Sequence, residues 1–210
     1  MNNELLKRII TSIILSTLSI ICIIKGSHLF NFFIFLILLL SLYEWFKLSY
    51  NKFFFVIGCI FLLFAFFLAY IFRNTNLSFF LFTILVSVFS DLGGYIFGKI
   101  FNGPKLTKIS PNKTYSGSIG SFFFSIILGF LYIEFIDYSL IINLNINLTK
   151  FIFIIILLSA INQIGDLIIS YFKRINNIKN TGDILPGHGG ILDRIDGMIF
   201  VLPISYYIFL

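Results

Sequence analysis

The sequence predicts an all-α, polytopic integral membrane protein with about seven transmembrane helices, and three observations predict it. The 210 residues are 59% hydrophobic and 19% aromatic but only 11% charged, with 29 phenylalanines and a mean hydropathy of +1.02; soluble proteins carry about 25% charged residues. This composition excludes a water-soluble globule and a disordered chain. Seven apolar runs of span-like character follow one another, and the lysines and arginines fall almost wholly on one side of the membrane that those runs define.

The first run, Ile9 to Ile24, follows Lys7 and Arg8 and has no small-residue cleavage site after it, so it reads as a retained first helix. The runs Phe53 to Phe72, Leu77 to Phe97, Ile119 to Leu140 and Phe151 to Phe172 have spanning length. Leu29 to Tyr43 and Met198 to Leu210 are short for a hydrocarbon core of about 30 Å, and so are either re-entrant or extended into their flanks. Together the spans use the whole length and leave no room for a separate soluble domain. Cys22 and Cys59 sit inside apolar runs with no Cys or His at ligand spacing, which suggests packing or lipid-facing residues and neither a disulfide nor a zinc site.

If all seven runs cross, one side holds Lys7, Arg8, Lys47, Lys52, Lys99, Lys105, Lys108, Lys113, Lys173, Arg174, Lys179 and Arg194, and the other only Lys25, Arg73 and Lys150. Twelve against three places the N-terminus and the two long polar stretches in the cytoplasm. The formal net charge of +6 is therefore a matter of topology: it includes no K/R-rich tract, and no nucleic-acid partner is expected. His28, in a short loop on the far side, is a bystander.

Chemistry is expected in the stretches 91–113 and 166–196, which hold five and eight of the 24 charged residues. Asp91 and Asp166 lie in apolar runs, where a charge costs about 2.5–3.5 kcal/mol at the bilayer centre, so each should face a cavity, a partner or a cation. Asp166, Ser170, Lys173 and Arg174 fall at i, i+4, i+7 and i+8, one helical face with an acid for a metal below two cations for phosphates. In the segment from Leu185 to Gly197, glycines 187, 189 and 190 surround His188. There, backbone N–H groups and a helix beginning near Ile191 could receive an anion. Asp193 and Asp196, at i and i+3, could hold a hard cation such as Mg2+, with Arg194 beside them for a phosphate. Ser110, Thr114, Lys108 and Lys113 offer hydroxyl and ammonium groups around Pro111, suited to a polyphosphate or a lipid phosphate.

No G-x-x-x-x-G-K-[ST], G-x-S-x-G or H-E-x-x-H motif occurs, which argues against P-loop ATP hydrolysis and acyl-serine chemistry. A secondary transporter with Asp91 and Asp166 as coupling-ion sites is a reading from another class. Against it, the polar groups cluster on one side and no inverted repeat is detectable.

These motifs resemble the phosphatidate cytidylyltransferase family. That family's signature runs S-x-x-K-R, four residues, K-D, a spacer and P-G-H-G-G-x-x-D-R-x-D; here Ser170, Lys173, Arg174, Lys179, Pro186, Gly187, His188, Gly189, Gly190, Asp193, Arg194 and Asp196 keep the spacing, with Asn180 in place of Asp. Upstream, Ser110-Pro-Asn-Lys-Thr-Tyr-Ser-Gly117 is similar to the family's S-P-K-K-T-W-E-G, and Ser90-Asp-Leu-Gly-Gly-Tyr95 with Gly98 and Lys99 resembles the stretch before it. The likeness covers roughly the C-terminal 120 residues, so residues 1–76 read as N-terminal membrane helices and 77–210 as the catalytic membrane region.

The resemblance implies transfer of CMP from CTP to phosphatidic acid in phospholipid biosynthesis, in a bacterial-type cell membrane. It implies that Asp166 and Asp193 hold a metal centre of Mg2+ with a monovalent cation such as K+, joined by Asp91 and Asp196, and that Lys173, Arg174 and His188 act beside them. It further implies Ser110, Lys113, Thr114, Ser170, Lys179, Gly187, Gly189, Gly190 and Arg194 as substrate contacts, and it suggests a homodimer. Asn180, Ser116 and Ile169 depart from the pattern, and each removes a carboxylate. A CTP-dependent lipid kinase, or a cytidylyltransferase for another lipid, would present similar phosphate and metal groups; the complete P-G-H-G-G-x-x-D-R-x-D favours phosphatidate.

Overall fold

In hydrocarbon every backbone N–H and C=O must be satisfied within the segment, so long Ile, Leu and Phe runs become helices. A computed structural model describes residues 3–49, 51–135, 147–185 and 189–210, and of residues 3–10 the backbone alone. Its helices are α1 (Asn3–Lys25), α2 (Ser27–Leu48), α3 (Lys52–Thr75), α4 (Leu77–Phe101), α5 (Tyr115–Phe135), α6 (Leu148–Ile175), the single turn α7 (Leu192–Ile195) and α8 (Met198–Phe209). Among the described residues there is no strand, only the isolated bridges Lys105 to Thr114 and Leu185 to Gly189.

Among the described residues five helices, α2 to α6, are long and apolar enough to cross a bilayer, which bears out a polytopic all-α membrane protein. Of the two short runs, the second gains its length from its flanks, since α2 covers 22 residues. The last does not: α8 has 12 residues, about 18 Å of helix against a core of about 30 Å. In α1 the described side chains form a shorter apolar stretch, Thr11–Lys25.

The chain forms two compact units, residues 1–75 with 172–195 and residues 76–171 with 196–210. The stretch 172–195 groups with the N-terminal helices. In the first unit the α2 and α3 helices meet at Trp45, whose indole lies on Gly58, where a Cβ would collide with the ring. The Trp45 Nε1–H donates to Phe55 O at 3.2 Å, and Phe172 packs edge-on to the indole at 5.0 Å. Arg73 closes the other end: its Nε and Nη2 donate to Ile23 O at 2.9 and 2.7 Å, satisfying a C-terminal carbonyl of α1.

In the second unit α4 and α5 approach through glycines. A Cβ on Gly120 would stand 2.7 Å from Gly93 O, and one on Gly117 would stand 2.8 Å from Gly94 O, the small-residue interface by which membrane helices gain close van der Waals contact. Thr114 caps α5 by accepting from Gly117 N at 3.1 Å. Buried hydroxyls join the other helices, with Ser90 Oγ and Ser159 Oγ 2.8 Å apart between α4 and α6, while Phe79 stacks on Phe209 of α8 at 4.7 Å.

Candidate active site

Each unit carries one polar cluster. In the second unit, Asp166 lies on α6 nine residues before the helix ends. Its Oδ2 is 2.6 Å from Lys113 Nζ, and its Oδ1 accepts from Ser170 Oγ at 3.1 Å, the i+4 partner expected on that face. Lys113 Nζ also donates to Gln163 O at 3.4 Å, and Asp196 comes within hydrogen-bonding reach of Asp166. The loop that delivers Lys113 is held by Leu106 N to Lys113 O at 2.8 Å and Lys113 N to Ser110 O at 3.0 Å. Asp91, on α4, accepts from Asn162 Nδ2 at 2.7 Å. The structure thus brings Asp166, Lys113, Ser170 and Asp196 together, with Asp91 on Asn162. It uses the Thr114 hydroxyl as a helix cap and fixes Ser110 by its backbone.

In the first unit, Lys173 and Asp193 form a nearly buried ion pair, Nζ to Oδ1 2.8 Å, with side chains only 10% and 9% exposed. The other carboxylate oxygen of Asp193 accepts Thr181 N at 2.8 Å and Gly190 N at 3.0 Å. Gly189, at φ 86°, fits only as glycine, because a Cβ would stand 2.9 Å from Asp193 Oδ2 and 3.2 Å from Asn180 Cβ. Leu185 N donates to Gly189 O at 2.9 Å and closes the loop. Arg174 reaches Ile178 O at 3.2 Å, and Lys179 and Arg194 are exposed. Gly187 and His188, with Pro186, lie outside the described residues.

The N–H groups of Gly190, Ile191 and Leu192 are taken by carboxylates of the chain itself, while Gly187 and His188 of the same expected anion loop lie outside the described residues. Asp193 accepts Gly190 N, and Glu44 accepts Ile191 N and Leu192 N at 2.8 Å each. Glu44, Thr181, Asn162 and Gln163 join these clusters without standing out in the sequence by motif. Glu44 alone carries a signal, as an acid one residue past the apolar run from Leu29 to Tyr43, the feature that marks Asp91 and Asp166. The other three are ordinary polar residues whose roles depend on tertiary placement.

Among the described residues no three His, Cys, Asp or Glu side chains converge as a metal-binding set. In kind, though, the donors of the second unit fit a hard cation. Asp91, Asp166 and Asp196 supply carboxylates, and Asn162 Oδ1 is a buried amide oxygen without a hydrogen-bond partner among the described residues.

Comparison with known proteins agrees with this chemistry. A family model described as the cytidylyltransferase family matches residues 51–210, and the chain belongs to that family. Among its relatives is a Staphylococcus haemolyticus protein named phosphatidate cytidylyltransferase, 43% identical over 133 residues, which are 63% of this chain and 49% of the relative. Proteins of the same name from Staphylococcus saprophyticus and Staphylococcus aureus are 44% and 42% identical over the same shares. The chain thus spans about half the length of the curated relatives it matches.

Proposed function

We propose that the protein is a CTP:phosphatidate cytidylyltransferase of the bacterial cell membrane, transferring CMP from CTP to phosphatidic acid. Its kinship with proteins of that name carries the reading. The pairs Lys113–Asp166 and Lys173–Asp193 support it, being cations and acids of the kind that phosphoryl chemistry uses. An oxygen of the lipid phosphate attacks the α-phosphorus of CTP. A P–O bond forms there as the bond to the β-bridging oxygen breaks, so pyrophosphate leaves and CDP-diacylglycerol remains.

The nucleophile is ionised at neutral pH, and no side chain need remove a proton from it. Catalysis rests on alignment and on cations at the α-phosphate and the leaving group. Lys113, Lys173, Arg174 and Arg194 supply fixed positive charge for the phosphates, and Ser110, Ser170, Lys179, Gly189 and Gly190 border them, as Gly187 and His188 do in this reading. Asp166 and Asp193 orient the two lysines they grip. Asp166, Asp193, Asp196 and Asp91 are the acids that would hold Mg2+ and an accompanying K+; bound Mg2+ would supply Lewis-acid neutralisation of phosphate charge. The lysine and arginine distribution supports a cytoplasmic site, where CTP is found. A homodimer is the assembly expected.

The test is formation of CDP-diacylglycerol from CTP and phosphatidic acid by purified protein in detergent with Mg2+ and K+, comparing wild type with Asp166→Asn. Product from the wild type and a loss of about a hundredfold or more in a variant that melts normally supports the reading. A folded wild type that makes no product with any of several acyl chains overturns it.

A further inference from the structure

One buried acid takes no part in the proposed chemistry. Glu44, the only acid in α2, is fully buried four residues before the helix ends. Its Oε2 accepts from Thr181 Oγ1 at 2.7 Å and Leu192 N at 2.8 Å, and its Oε1 accepts from Ile191 N at 2.8 Å. These three donors are neutral. Burying a carboxylate without a cation is costly, and hydrogen bonds to the charged acceptor are what offset that cost.

The spacing of the donors says what the acid does. Thr181 stands before the glycine-rich loop and Ile191 and Leu192 stand after it, so one carboxylate clamps both ends of residues 181–192. Gly182 and Gly190 lie close against it: a Cβ on Gly182 would stand 3.1 Å from Oε1, and one on Gly190 would run into the carboxyl group. An apolar residue at 44 would leave the Ile191 and Leu192 N–H groups without a partner inside the fold, at about 1–3 kcal/mol each. Glu44 also lies outside residues 51–210, the span matched by the family.

We infer that Glu44 is a positioning residue. By tying Thr181 to the first turn of α7 it holds Gly189, Gly190 and Asp193 in place, and with them Arg194, the cation that faces the phosphates of CTP. This rests on the proposed nucleotide role of that loop, and the test separates the two. The full-length protein in detergent is compared with Glu44→Gln and Thr181→Val for hydrogen exchange in the peptide covering 189–195, and for KM and kcat with CTP.

In Glu44→Gln the exchange of that peptide rises about tenfold and KM for CTP rises about tenfold, with kcat changed far less. Thr181→Val, which removes one donor and leaves the acid, shifts both by about threefold in the same direction; it decides the matter if Glu44→Gln does not fold. Unchanged exchange overturns the clamp. Faster exchange at an unchanged KM overturns the positioning role and leaves Glu44 a merely structural acid. A wild type without activity removes the proposed function, while the exchange data still read the clamp.

Discussion

Lys173 and Asp193 show how much a single charge costs where water is scarce. Both side chains are nearly buried, and Asp193 also accepts the backbone N–H groups of Thr181 and Gly190. Lys173→Met leaves that acid without its cation and costs about 3–5 kcal/mol of stability, as does Asp193→Asn from the other side. Thermal unfolding in detergent checks this, and Lys173→Met melting with the wild type would contradict it. Asp91, Asp166 and the Asp193 to Asp196 spacing were legible because an acid in an apolar run has few innocent explanations. Their partners were not: Lys113 is 53 positions from Asp166 and Lys173 is 20 from Asp193. Charge pairing across such separations is decided by packing.

At the scale of elements, the contact between α4 and α5 depends on an absence of side chains. Gly93, Gly94, Gly117 and Gly120 let the backbones touch, and Gly120→Leu would drive a side chain into Phe97 and Gly93. Overpacking of this kind typically costs about 1–3 kcal/mol. A lowered melting temperature with intact far-ultraviolet helicity is the expected outcome, and an unchanged melting temperature would refute this helix contact. The apolar runs located the helices because the bilayer demands them, but their ends followed other rules. The α2 helix runs five residues past Tyr43 because Glu44 and Trp45 find buried partners in the fold. The helix expected near Ile191 starts one residue later and lasts a single turn, its first N–H groups already claimed by Glu44.

For the whole molecule, the charge asymmetry is a strong statement of the sequence, because a run of spans that cross in turn leaves Lys and Arg on one side. With Cys22 and Cys59 replaced by alanine, the topology proposed from the charges has Lys108→Cys react with an impermeant thiol reagent only from the cytoplasmic face and Lys25→Cys only from outside; labelling of both from one face overturns that proposal. The grouping of residues 172–195 with the N-terminal helices was not visible in the sequence. Its anchors, Asn176 Nδ2 on Leu48 O at 2.6 Å and Thr181 on Glu44, join residues more than 120 positions apart.

In the proposed reaction the α-phosphate of CTP passes to the lipid. Purified protein given phosphatidic acid and CTP labelled at either the α- or the γ-phosphate distinguishes this directly. The expected outcome is α-label in the lipid phase, γ-label in released pyrophosphate, and one pyrophosphate per lipid product. Label from the γ-phosphate in the lipid would show a phosphoryl-transferring kinase and overturn the proposed cytidylyl transfer.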